Sequence, residues 1–94
     1  TANNWNVVQY AVLMHMMAQV SGLQVGELVH VIADAHIYDR HVDIVKELIE
    51  RECFDAPKVT LDPTITDFYQ FTKDSFQVEN YQFHPFDFEI PMAI

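Results

Sequence analysis

The stretch Asn4-Trp5-Asn6-Val7-Val8-Gln9-Tyr10-Ala11-Val12-Leu13-Met14-His15-Met16-Met17-Ala18-Gln19-Val20-Ser21-Gly22 decides how the rest of this chain is read. Asn4 is a candidate cap for a helix from about Trp5 to Gln19, because its side chain can accept from backbone N–H groups left unpaired in a first turn. Trp5, Val7, Val8, Ala11, Val12, Leu13, Met14, Met16, Met17, Ala18 and Val20 cover most of that helix's circumference. A helix that is apolar nearly all round is buried on nearly all sides. Ser21-Gly22 ends it, with Gly22 suited to a left-handed C-terminal position. A chain of 94 residues has hardly enough protein to wrap such a helix, and its pattern starts within two residues of Thr1. The expectation is a piece of something longer.

Downstream of this helix, Glu27-Leu28-Val29-His30-Val31-Ile32-Ala33-Asp34-Ala35-His36-Ile37-Tyr38 reads as a strand, with apolar residues on both faces near its middle. Both faces are then expected to be covered, one by the core and one by a second subunit. Asp39 reads as the cap of a second helix, about Arg40 to Glu52, with Val42, Val45, Leu48 and Ile49 as its apolar stripe. Lys58-Val59-Thr60-Leu61 reads as a short strand and Asp62-Pro63 as a turn. A helical turn is expected within Thr66 to Phe71, and a further strand over Ser75 to Gln82. The ending Pro91-Met92-Ala93-Ile94 is apolar, where a tail is normally mobile and polar, so it is expected to dock.

Half of the residues are hydrophobic and 13% are aromatic, with only 2 Gly and 4 Pro, a core-forming composition rather than a disordered one. Lys and Arg total 5 against 14 Asp and Glu, a net charge of −9. That balance repels phosphate backbones and anionic lipid, which speaks against nucleic acid or a membrane surface as partner. The run Val7 to Val20 carries Gln9, His15 and Gln19 and falls short of the roughly 18 to 20 apolar residues of a bilayer span. No basic leader region precedes it, so a cytoplasmic location is the default. The single cysteine, Cys53, excludes an intrachain disulfide, and in its acidic surroundings it reads as a bystander thiol rather than a nucleophile.

Asp34, His36 and Tyr38 form the densest polar cluster. On a strand they project one way and suit a sugar hydroxyl; equally, they suit a strand end emerging into solvent. Asn6 has two readings as well, a second capping residue or a reader of a pyrimidine edge. An amide accepts from a uracil ring N–H and donates to the adjacent carbonyl, a two-point match to uracil and a mismatch to cytosine. A metal site of His30, His36, His41 and Asp34 lacks motif spacing; His30 and His36 would lie roughly 20 Å apart along a strand. His15 and the methionines Met14, Met16 and Met17 read as core. No phosphate-loop or serine-hydrolase motif is present.

Three stretches together resemble thymidylate synthase. Asn6 through Gln19 is similar to the family's F-N-x-x-x-Y-A-x-L-x-H-M-x-A-Q helix. Val25-Gly26-Glu27 with Asp34-Ala35-His36-Ile37-Tyr38 and His41 is similar to its V-G-[DE] … G-D-x-H-[IL]-Y-x-x-H segment. Tyr81 through His84-Pro85 and the ending Pro91-Met92-Ala93-Ile94 resemble its G-Y-x-P-H-P … A-P-x-A-[VI] tail. Asn3-Asn4-Trp5, Ile32-Ala33, Phe83 and the longer Phe86-Asp87-Phe88-Glu89 depart from the pattern.

The resemblance implies an α+β fold in which a long buried helix packs on a mixed sheet. Residues 1–94 would form the C-terminal segment of a single domain. It implies methylation of dUMP to dTMP with 5,10-methylenetetrahydrofolate as co-substrate, no metal, and a homodimer. It places Asn6 on the uracil edge, His36 and Tyr38 on the deoxyribose 3′-hydroxyl, and Ala93 against folate. The nucleophilic cysteine and the phosphate-binding arginines would lie upstream, so the segment alone is expected to be inactive. A dUMP hydroxymethylase sharing the fold and a non-catalytic, self-associating unit are the alternatives.

Overall fold

The computed structural model describes residues 3–85 and 89–90. Helix α1 spans Asn3–Ser21, starting earlier and ending later than its apolar pattern predicts. Asn4 therefore lies inside the first turn and is not the cap, which requires a non-helical backbone. The helix terminates at Gly22, as expected. Gly22 adopts φ +67, its N–H bonds Gln19 O at 3.3 Å, and Leu23 N–H bonds Ala18 O at 2.9 Å. These paired bonds are a Schellman motif, and glycine meets its positive φ without the Cβ clash other residues would suffer.

The expected strand over Glu27 to Tyr38 does not form. The backbone is irregular, a turn falls at Ala33-Asp34, and no strand pairs with this segment among the described residues. A strand is held by ladder bonds to a neighbour. The two-sided apolar pattern asks for covers that these residues do not provide, and Val31 is left 82% exposed.

A 3₁₀ turn, Asp39–His41, leads into α2, Val42–Glu50. Asp39 sits in the first turn rather than capping it; Tyr38 holds the cap position with no side-chain bond. The acid still complements the positive end of the turn dipole. Val42, Ile44, Val45 and Leu48 are half-buried, whereas Ile49, expected in the apolar stripe, is 75% exposed.

Strand β1, Lys58–Leu61, pairs antiparallel with β2, Phe76–Glu79. The register sets Lys58 opposite Glu79, Val59 opposite Val78 and Leu61 opposite Phe76. This two-stranded ladder is the sheet of the described residues, in place of a mixed one. β2 is shorter than its alternation suggests because Asn80 turns to φ +58, a conformation asparagine tolerates. Between the strands, Asp62 Oδ1 accepts from Thr64 N at 3.0 Å and from Thr64 Oγ1 at 2.7 Å. Asp67 caps a 3₁₀ turn at Phe68–Gln70. Thr72 and Ser75 form a reciprocal cap at Lys73–Ser75.

α1 is tied to this hairpin at its C-terminal end. Gln19 Nε2 donates to Asp62 O at 2.8 Å and to Ile65 O at 2.9 Å. Phe71 stacks on Phe76 with centroids 6.2 Å apart, and Phe68 meets Phe71 edge-on at 6.3 Å. These rings, with half-buried Leu61, form the nearest thing to a core. No apolar residue among those described is fully buried, and Ser75 alone falls to 6% exposure. The chain exposes 8368 Å², against about 5,600 Å² for a compact monomer of this mass. Its radius of gyration is 16.7 Å, against about 12 Å for a compact domain. The α+β class holds, but α1 is unwrapped along its face at Asn6, Tyr10, Leu13 and Met17.

Candidate functional site

His36, Ile37 and Tyr38 lie just before the 3₁₀ turn that starts α2, and this junction builds a cleft of about 210 Å³. Its walls are His36, Ile37, Tyr38, His41, Ile44, Val45 and Ile90. The floor is aliphatic because α2 turns its half-buried face toward it, and the polar atoms come from the segment before the helix.

His36 Nδ1 lies 2.9 Å from the carbonyl oxygen of Asp34. A carbonyl can only accept, so Nδ1 carries the hydrogen and Nε2 of the neutral ring is left as an acceptor. The Asp34 carboxylate lies 3.6 Å from the same Nδ1. Tyr38 meets His36 edge-on at 5.2 Å, and His41 meets Tyr38 edge-on at 5.4 Å. The Tyr38 hydroxyl has no hydrogen-bond partner among the described residues. The arrangement can take a hydroxyl group: an imidazole acceptor and a phenol donor side by side over an apolar floor.

Two expected site residues, His36 and Tyr38, are thus brought together. Asn6 is not among the cleft's walls. It stands exposed in the first turn of α1, its amide without a partner among the described residues. Ala93 lies outside the described residues. His41 is a wall that the motif contained but to which no role was attached. Its signal is the Tyr38-x-x-His41 spacing, which the 3₁₀ bond from His41 N to Tyr38 O at 2.8 Å turns into a ring contact. Ile90 had no sequence signal at all. A second, more open groove of about 620 Å³ lies between α1 and the hairpin, walled by Trp5, Val8, Pro57, Val59, Val78 and Tyr81. It is apolar and presents no group for chemistry beyond the Tyr81 hydroxyl.

Comparison with known proteins completes the picture. The family described as thymidylate synthase matches residues 1–94. The thymidylate synthase of Bacillus mojavensis is 49% identical over 80 residues, covering 85% of this chain and 29% of that protein. That of Clostridium beijerinckii is 46% identical over 82 residues, 85% of this chain and 31% of that protein. The solved structure of thermostable thymidylate synthase A from Bacillus subtilis aligns with a TM-score of 0.88 at 45% identity, over 94% of this chain and 32% of that one. The chain therefore spans about a third of the length of relatives it matches. On sequence and on fold alike, this chain belongs to the thymidylate synthase family.

Proposed function

We propose that this chain is the C-terminal portion of a thymidylate synthase domain, an enzyme that methylates dUMP to dTMP, and that it contributes the nucleoside-binding side of the site. The supporting observation is the His36–Tyr38 pair, whose ring contact and tautomer leave an acceptor and a donor facing an apolar cleft. His36 Nε2 accepts from the deoxyribose 3′-hydroxyl and Tyr38 donates to the same oxygen. Asn6 holds the uracil edge, its carbonyl accepting from the ring N–H and its amide N–H donating to the adjacent ring carbonyl. When a thiolate adds to C6 of the ring, charge builds on that carbonyl oxygen, and the amide donor stabilises it. The free amide and exposed position of Asn6 suit that task. Methylenetetrahydrofolate supplies the one-carbon unit and the hydride. The thiolate and the cations that hold the phosphate belong to the part of the enzyme beyond these 94 residues, which fits a charge of −9 on this portion.

The test compares the full-length enzyme with the isolated chain, each given dUMP and methylenetetrahydrofolate. The full-length enzyme is expected to form dTMP and the isolated chain none. Turnover by the isolated chain contradicts the division of labour. A 5-hydroxymethyl product from the full-length enzyme replaces methyl transfer with hydroxymethylation.

A further inference from the structure

His41 walls the cleft without a role in the proposed chemistry. Tyr38, by contrast, must place one phenol hydrogen on a sugar oxygen, and its side chain is half exposed. A phenol swings about two bonds, and keeping it in one rotamer costs conformational entropy. The hydroxyl end does not hold it, having no hydrogen-bond partner among the described residues. The ring itself is touched by two imidazoles: His36 at 5.2 Å and 73°, and His41 at 5.4 Å and 86°. Both geometries are the edge-on arrangement that aromatic rings favour.

The two imidazoles are rooted differently. His36 belongs to the exposed, irregular segment before the turn. His41 is half-buried, closes the turn with its N–H on Tyr38 O at 2.8 Å, and takes the N-cap position of α2. In a 3₁₀ turn, residues three apart fall over one another. The backbone bond that starts the helix therefore also sets the His41 ring beside Tyr38. α2 supplies the aliphatic floor of the cleft through Ile44 and Val45, so the His41 ring is fixed relative to that floor. We propose that His41 is a positioning residue for the sugar subsite: its ring backs the Tyr38 ring and holds the phenol where it donates to the deoxyribose 3′-hydroxyl. This rests on the reading of the cleft as the sugar side of the dUMP site.

The experiment uses the full-length enzyme with His41→Ala, His41→Asn and His41→Phe, each given dUMP and its 3′-deoxy analogue, 2′,3′-dideoxyuridine monophosphate. Loss of the ring is expected to lower kcat/KM for dUMP about fivefold, while kcat/KM for the 3′-deoxy analogue stays within about twofold. A residue that merely supported the fold would lower both substrates together. His41→Phe keeps an aromatic ring against Tyr38 and is expected to restore most of the dUMP value. If His41→Ala does not fold, His41→Asn carries the test, since asparagine suits the N-cap that His41 holds. Crystal structures without ligand add a readout that needs no substrate: Tyr38 in one rotamer in the wild type and in several in His41→Asn. Equal losses on both substrates, no rescue by phenylalanine, or a single unchanged Tyr38 rotamer overturns the proposal. A wild-type enzyme indifferent to the 3′-hydroxyl overturns the sugar reading instead, and the Tyr38 rotamers then decide by themselves whether His41 positions the phenol.

Discussion

Two single positions make opposite demands on what a residue carries. The proposed uracil contact needs the Asn6 amide unpaired, as it is among the described residues, and the turn at Gly22 needs no side chain. In the proposed pose, replacing Asn6 with Asp turns the donor to the ring carbonyl into an acceptor. In the full-length enzyme dUMP turnover is expected to fall by about a hundredfold or more, because a site built to bond one edge rejects the other. Steady-state kinetics on dUMP and dCMP check this, and unchanged dUMP turnover would remove Asn6 from the uracil edge. Gly22→Ala puts a Cβ at φ +67 with open space around it, so the cost is conformational alone. About 1 kcal/mol of stability is expected to be lost in the full-length enzyme, read from denaturant midpoints. His36 was legible as one of a polar set with Asp34 and Tyr38, since spacing carried that much. Its tautomer was not, because the partner is the backbone oxygen of Asp34, which no pattern of side chains announces.

Among the elements, the hairpin is where acidity should be felt. Two bonds from Thr64, the hydroxyl first and the backbone N–H second, hold the Asp62 carboxyl below its ordinary value of 3.8. The unfolded chain then binds that proton more readily than the folded one. Its contribution is fully present above the ordinary aspartate range and is lost as pH falls through the lowered value. Following the Asp62 carboxyl and the Thr64 amide by NMR should show both shifting at one pH, below that of an unperturbed aspartate. Thr64→Val should bring the Asp62 value back up, and an unmoved value would mean that the hydroxyl bond does not hold the turn. β1 and α2 were legible because their patterns match what they bury locally: Lys58 pairs with Glu79, and Val45 and Leu48 face inward. The segment over Glu27 to Tyr38 was misread for the converse reason. Its alternation reports partners that it does not find among the described residues, and alternation without a ladder leaves irregular backbone.

The molecule as a whole is open. Exposed Trp5, Tyr10, Leu13 and Met17 on α1, and Val29 and Val31 after it, leave apolar surface that a closed domain would cover. The isolated chain is expected to bind a hydrophobic dye and to melt without a sharp calorimetric transition. A cooperative, dye-free unfolding transition would show that it closes a core after all.

The residue pattern was enough to establish that α1 exists, that Gly22 terminates it, and that it is too apolar to stand in water. Those features depend on neighbours within a few positions, through helix periodicity, a glycine's left-handed turn and side-chain spacing. Tertiary contact alone decided that Ile90 joins the cleft of His36 and Tyr38, that Gln19 ties α1 to the carbonyls of Asp62 and Ile65, and that Arg51 and His84 fasten residues 84–85 to the end of α2. Each joins residues through backbone oxygens or aliphatic surface. Every residue has a carbonyl and many have aliphatic surface, so only the path of the chain selects which of them meet.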